Sequence, residues 1–185
     1  MNEKDAVSLL KEQGWSCGRD DAGDYFCTME VDQLQLQIIP SIAKRADHYR
    51  VSLMPSISSR AFSEAVSFIL GRQRDHVPIV LNSEPAQKLA SISTADISRI
   101  AGDAVSWASS QSLESGLTAY RMLPTDAKGE LPLRHLAALA MAHDIDRLES
   151  YRQSFEAGNR LGFVPYITLE MIDRALILAR SEKSL

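Results

Sequence analysis

From residue 34 the chain reads LQLQI, so that Leu34, Leu36 and Ile38 face one way while Gln33, Gln35 and Gln37 face the other. A repeat of two marks a strand with one wet face, and this is the clearest alternation in the sequence. Two further runs, WSCGR and YFCTMEV, flank DDAGD. With residues 21–23 as a three-residue hairpin loop, Asp20 faces Asp24, Cys17 falls opposite Cys27 and Trp15 opposite Met29. In YRVSLMP, Tyr49, Val51 and Leu53 share a face. VPIVL (77–81) makes a short fifth strand, at an edge because Pro78 has no N–H for a ladder. Short turns between such runs predict an antiparallel meander.

Elsewhere apolar positions recur at three and four. Residues 3–13 predict a first helix, with Asn2 and Asp5 as capping pair, Val7 and Leu10 as stripe and Gly14 as stop. SSRAFSEAVSFILGR predicts a second, with Phe62, Val66, Ile69 and Leu70 on one side. Ser93 and Asp96 open a third, whose stripe is Ile97, Ile100, Ala104, Trp107 and Ala108. Residues 112–123 fit a helix or a returning strand equally. Beyond the linker-like PTDAKGELP (124–132) three more helices follow. The first starts near Pro132 and carries Leu133, Leu136, Ala137, Ala140 and Met141. The second begins at Asp144 and ends at Gly158-Asn159; the third is capped by Thr168 and carries Leu169, Ile172, Leu176 and Ala179. The expected fold is α+β: an antiparallel sheet of four to five strands with flanking helices, then a C-terminal segment of about three helices. The matching division is an α+β domain over 1–123 and a helical subdomain over 131–185 packed on it, with one continuous domain as the alternative.

A length of 185 residues suffices for one good core, or for one core and a smaller lobe. The net charge of −4 has the wrong sign for a dedicated nucleic-acid surface. No apolar run reaches the length of a membrane span, and MNEKDAVSLLKEQGW does not read as a secretory leader. Two cysteines are too few for a disulfide framework, and Cys17 and Cys27 are read as reduced, packing as small hydrophobes, in preference to a cross-strand disulfide. Cytoplasmic residence is the expectation that follows.

The motifs of serine hydrolases, P-loop proteins and dinucleotide-binding folds are absent. His48, His76, His135 and His143 form no HxxxH pair or Cys/His cluster, so neither a metal nor a cofactor is expected. In HDIDRLE (143–149) an acid beside His143 could orient an imidazole for base catalysis. Asp144 as helix cap and Asp146 near the positive helix end explain the same spacing with fewer assumptions. From 131 to 185 the cations Arg134, Arg147, Arg152, Arg160, Arg174, Arg180 and Lys183 are matched by seven acids, which removes the impression of a basic face.

One stretch, GNRLGFVPYI (158–167), concentrates aromatic and apolar side chains between two helices. It reads first as a helix stop with an apolar plug and second as a rigid patch offered to a partner. Arg160, Phe163, Pro165 and Tyr166 are the candidate contact residues, and Arg160→Ala is expected to be nearly silent for folding.

The segment LRHLAALAMAHDIDRLESYRQSFEAGNRLGFVPYITLEMIDRAL (133–176) resembles the C-terminal part of a group of bacterial proteins without an assigned activity, a resemblance that brings no catalytic residues with it. The order helix, three or four antiparallel strands, helix, strand, helix over 3–112 is similar to type III secretion chaperones and the sensory-transduction-regulator relatives of that fold. That resemblance implies a small acidic protein that binds other proteins through a sheet face or strand edge. The functional expectation is a non-enzymatic, chaperone-like binding or adaptor module, whose partner is another protein or a second copy of itself, and not nucleic acid or membrane. The rival is a small enzyme with a site at His143, Asp146 and Tyr166.

Overall fold

The computed structural model describes residues 1–181; Glu182 and Lys183, and with them the end of the expected C-terminal segment, lie outside the described residues. Along the chain come α1 (Glu3–Glu12), β1 (Ser16–Arg19), β2 (Tyr25–Val31), β3 (Leu34–Ile38), β4 (Ser41–Lys44), β5 (Tyr49–Ser52), β6 (Ser56–Ser58) and α2 (Arg60–Leu70). Then follow β7 (Val80–Leu81), β8 (Gln87–Leu89), α3 (Thr94–Ser109), α4 (Leu113–Arg121), α5 (Leu131–Met141), α6 (Ile145–Glu156) and α7 (Leu169–Arg180). The strands make two antiparallel sheets, ordered β1-β2-β3-β6-β7 and β4-β5-β8. The class is α+β with C-terminal helices, as expected. Residues 112–123, undecided from sequence, are mainly helical, and β4, β6 and β8 are strands that the periodicity does not announce.

Two compact units divide the chain: Met1–Ser59 with Pro78–Gln111, and Arg60–Val77 with Ser112–Leu185. This division differs from the expected cut between 123 and 131, because α2 and α4 pack with the C-terminal helices.

In the first unit, the hairpin loop has the expected register. The Asp20 N–H donates to the Asp24 carbonyl at 3.0 Å, and Asp20 Oδ1 accepts from the N–H groups of Ala22 and Asp24. The β2–β3 turn is made by Asp32 and Gln33, both at positive φ as a two-residue hairpin turn requires, so Gln33 belongs to the turn and not to the strand. Cys27, Leu36, Ile38 and Ile57 share one face of the larger sheet and are fully buried. α1 and α3 pack together and both contact β2. They bring Ala6, Val7, Leu10, Ile97, Ala101 and Ala104 to the core. Both helices carry reciprocal capping boxes, Asn2 with Asp5 and Ser93 with Asp96.

The expected reduced state of the cysteines is corrected. Cys17 and Cys27 are cross-strand partners with Cα atoms 4.0 Å apart, and they are joined by a disulfide. Counting from the hydrogen-bonded Asp20–Asp24 position, Cys17–Cys27 falls at a non-hydrogen-bonded pair, where opposing side chains come closest. The cytoplasmic expectation rested partly on reduced thiols, and a bonded pair withdraws that support.

In the second unit α5 is the central element. It contacts α2, α4, α6 and α7, and from Pro132 to Ala140 only Arg134 is not buried. Its alanines 137, 138 and 140 let neighbours approach on several sides, so one apolar stripe understates its burial. Phe62, Val66 and Ile69 of α2, Leu148 of α6 and Ile172 and Leu176 of α7 complete this core.

Candidate functional site

The 158–167 segment is tied down at nearly every residue. Gly158, at φ +81°, gives α6 its left-handed exit, and Gly162, at φ +84°, allows the second bend. Phe163 is 4% exposed and meets the rings of Tyr151 and Phe155 edge-on at 5.3 and 5.7 Å; Ile167 is fully buried. The Arg160 guanidinium donates to the carbonyls of Val164, Pro165 and Ile167 at 3.0, 3.2 and 2.7 Å, and lies over the Phe155 ring. The Thr125 hydroxyl donates to the Leu161 carbonyl. Tyr166 is half exposed, but its hydroxyl donates to the Gly129 carbonyl at 3.0 Å. That bond ties the segment to the turn just before α5, whose N-cap Glu130 makes no side-chain cap bond. Of the four candidate contact residues, Phe163 is interior, Arg160 and Tyr166 are engaged in holding the segment, and Pro165 is exposed.

His143, Asp146 and Tyr166 do not converge. Tyr166 sits at the start of α5 and His143 just past its end, and eleven helical residues rise about 16 Å. His143 Nδ1 donates to the Ala179 carbonyl at 2.7 Å. Asp144 caps α6 through the Arg147 N–H and pairs with the Arg147 side chain, and Asp146 is exposed in the first turn.

A pattern in the second unit accounts for four of its basic side chains, Arg174, His143, Arg147 and His135. The last carbonyls of a helix have no partner within it, and a donor brought from elsewhere satisfies them. Arg174 Nε donates to Ile69 O at the end of α2, and His143 serves Ala179 O at the end of α7. Arg147 donates to Arg121 O and His135 Nδ1 to Tyr120 O at the end of α4, both at 2.8 Å. His135 is fully buried and its Nε2 accepts a hydrogen bond from the Tyr151 hydroxyl at 3.0 Å, so both ring nitrogens are occupied in the neutral form. Burial pushes the imidazole pKa down and the Tyr151 phenol up. These histidines and arginines are structural donors.

The site that sequence reasoning missed lies in the first unit. A groove of about 320 Å³ has three walls. Val51, Ser52, Leu53 and Pro55 come from β5 and the chain after it. Asn82, Glu84, Pro85 and Gln87 come from the β7–β8 connection and the start of β8, and Ile100, Asp103, Ala104 and Trp107 from α3. The α3 residues stand at i, i+3, i+4 and i+7, one continuous face. Ile100 and Ala104 are buried, while Trp107 is half-buried beside the exposed Asp103. Asn82 Oδ1 accepts from the Glu84 N–H at 2.8 Å and shapes the loop. Arg99 joins the walls, donating to Gln87 Oε1 at 2.8 Å and to Asp103 Oδ2 at 3.0 Å. Among the described residues, the Asn82 and Gln87 amide NH₂ groups, the Trp107 indole N–H and the Glu84 carboxylate make no hydrogen bond. The α3 stripe was visible in the sequence as a core stripe; Asp103 was not read with it.

No group of three or more His, Cys, Asp or Glu side chains among the described residues is placed to hold a metal ion. No helix among them is long and apolar enough to cross a membrane. Fold and groove together define an α+β protein of two antiparallel sheets and a helical cluster, with a mixed polar and apolar recess beside its third helix. Over residues 2–180 the chain matches the model of a family of unknown function, DUF6990, and it belongs to that family. The match extends the resemblance noted for 133–176 to almost the whole chain. No curated protein and no solved structure gives a significant match.

Proposed function

We propose that this protein is a non-enzymatic recognition module whose groove in the first unit takes an extended segment of a partner protein. The observation that carries the reading is the groove itself: an apolar floor of Ile100, Ala104 and Leu53 beneath amide and indole donors that have no partner. Such donors suit the carbonyls of a peptide backbone, and Pro55, Pro85 and the Trp107 ring offer rigid surfaces for side chains. The volume lies at the low end for a ligand site, enough for side chains of a segment that crosses it and not for a large cofactor. This keeps the adaptor-like expectation and moves its surface from 158–167 to the wall of α3.

The test is a peptide array probed with the full chain, followed by fluorescence titration of the tightest peptides. Binding is read from the anisotropy of a dye carried by the peptide, so the readout survives substitution of Trp107, which lines the groove. Micromolar binding that Trp107→Ala abolishes, with an unchanged far-UV spectrum, supports the reading. An array without a micromolar binder, or binders indifferent to Trp107→Ala, removes it.

A further inference from the structure

We infer that the groove contains a cation subsite, formed by Trp107, Asp103 and Glu84, that selects a lysine or arginine side chain in the bound segment; the inference rests on the groove being the binding site. Asp103 and Trp107 are one helical turn apart on the face of α3 that lines the groove, which places a carboxylate beside an aromatic ring. A cation held over an indole face is attracted by the ring quadrupole, and a neighbouring carboxylate adds direct charge attraction. Asp103 has committed Oδ2 to Arg99, which leaves Oδ1 for a ligand. Glu84 enters the same groove from the β7–β8 connection, and its carboxylate makes no hydrogen bond or ion pair among the described residues. No lysine or arginine is among the lining residues, so the recess presents two carboxylates against no lining cation. Arg99 neutralises part of Asp103 from outside and holds it in place through its second bond to Gln87. A neutral apolar side chain would fill the same space but leave the Glu84 charge unanswered. A carboxylate would be repelled.

The experiment takes the tightest peptide from the array and remakes it with Lys, Arg, norleucine and Glu at each position in turn. Full-length protein is titrated with each at low and at moderate salt. One position should hold a Lys or Arg that norleucine replaces with about a tenfold loss of affinity, the combined size of an exposed cation–π contact and a surface ion pair. The gap should narrow as salt rises. Glu84→Gln should reduce it without altering the far-UV spectrum, and Trp107→Phe should keep more of it than Trp107→Leu. If the best peptides bind equally well with norleucine at every position, the cation subsite falls while the groove reading stands. If no peptide binds, or binding ignores Trp107, both fall together.

Discussion

Arg160 shows how a residue that looks dispensable in sequence becomes structural once its partners are in place. Its guanidinium closes the 158–167 segment on three carbonyls, and Phe163 fills the space below between Tyr151 and Phe155. Phe163→Ala should therefore cost about 3–5 kcal/mol in chemical unfolding, the range for truncating a buried aromatic. Arg160→Ala should cost about 1–2 kcal/mol, since charged-donor hydrogen bonds are lost at a solvent-exposed position, in place of the silent outcome its exposure alone suggests. His76 makes the pH-dependent case. Burial and then the Arg134 charge lower its pKa from 6.5 to about 4. Between those values the unfolded chain binds a proton that the native state does not, so protons favour unfolding. The contribution is complete above pH 6.5 and is lost as the pH falls toward 4. Urea midpoints at pH 7.5 and 4.5 should differ less for His76→Gln than for the parent chain; an equal drop in both would show that His76 does not titrate this way.

At the scale of elements, what could be read in advance was whatever lies within a few neighbouring residues. The caps at Asn2, Ser93, Asp144 and Thr168 were legible because a capping side chain reaches only three residues along. The hairpin register across Asp20–Asp24 was legible because the loop fixes it. β6 was not, since Ser56-Ile57-Ser58 is too short to display a period of two and its polar residues are buried by long-range packing. The groove was hidden for a related reason: its walls come from residues between 51 and 107, and the local signatures of the β5 alternation and the α3 stripe do not show that the two meet. The disulfide sits between these cases, with a register readable from the turn and a bond that depends on redox conditions. It closes a loop with a sequence separation of 10, for which chain entropy gives about 3 kcal/mol. Reductant should lower the unfolding free energy of the parent chain by that amount, with a matching fall in its midpoint, and leave a Cys17→Ser/Cys27→Ser variant unmoved. A midpoint that ignores reductant in the parent would mean that the bridge contributes nothing.

For the whole molecule, the consequential feature is that the chain enters the second unit twice, at Arg60–Val77 and again from Ser112. A cut near residue 123, where composition suggests a linker, would separate α2 and α4 from α5 and α7. Phe62, Val66 and Ile69 of α2 are each at most 2% exposed in the full chain. Uncovering three such side chains costs roughly 5–9 kcal/mol, comparable with the whole stability of an ordinary domain of about 5–15 kcal/mol. A fragment of residues 1–123 should therefore bind a hydrophobic dye and give a poorly dispersed amide spectrum. A fragment of 131–185 should fare no better, because α5 would lose the α2 and α4 contacts that cover two of its sides. The full chain should show neither defect. A sharp, dispersed spectrum from monomeric 1–123 would instead place the boundary where the linker composition suggests, with α2 able to bury its apolar face without α5 and α7.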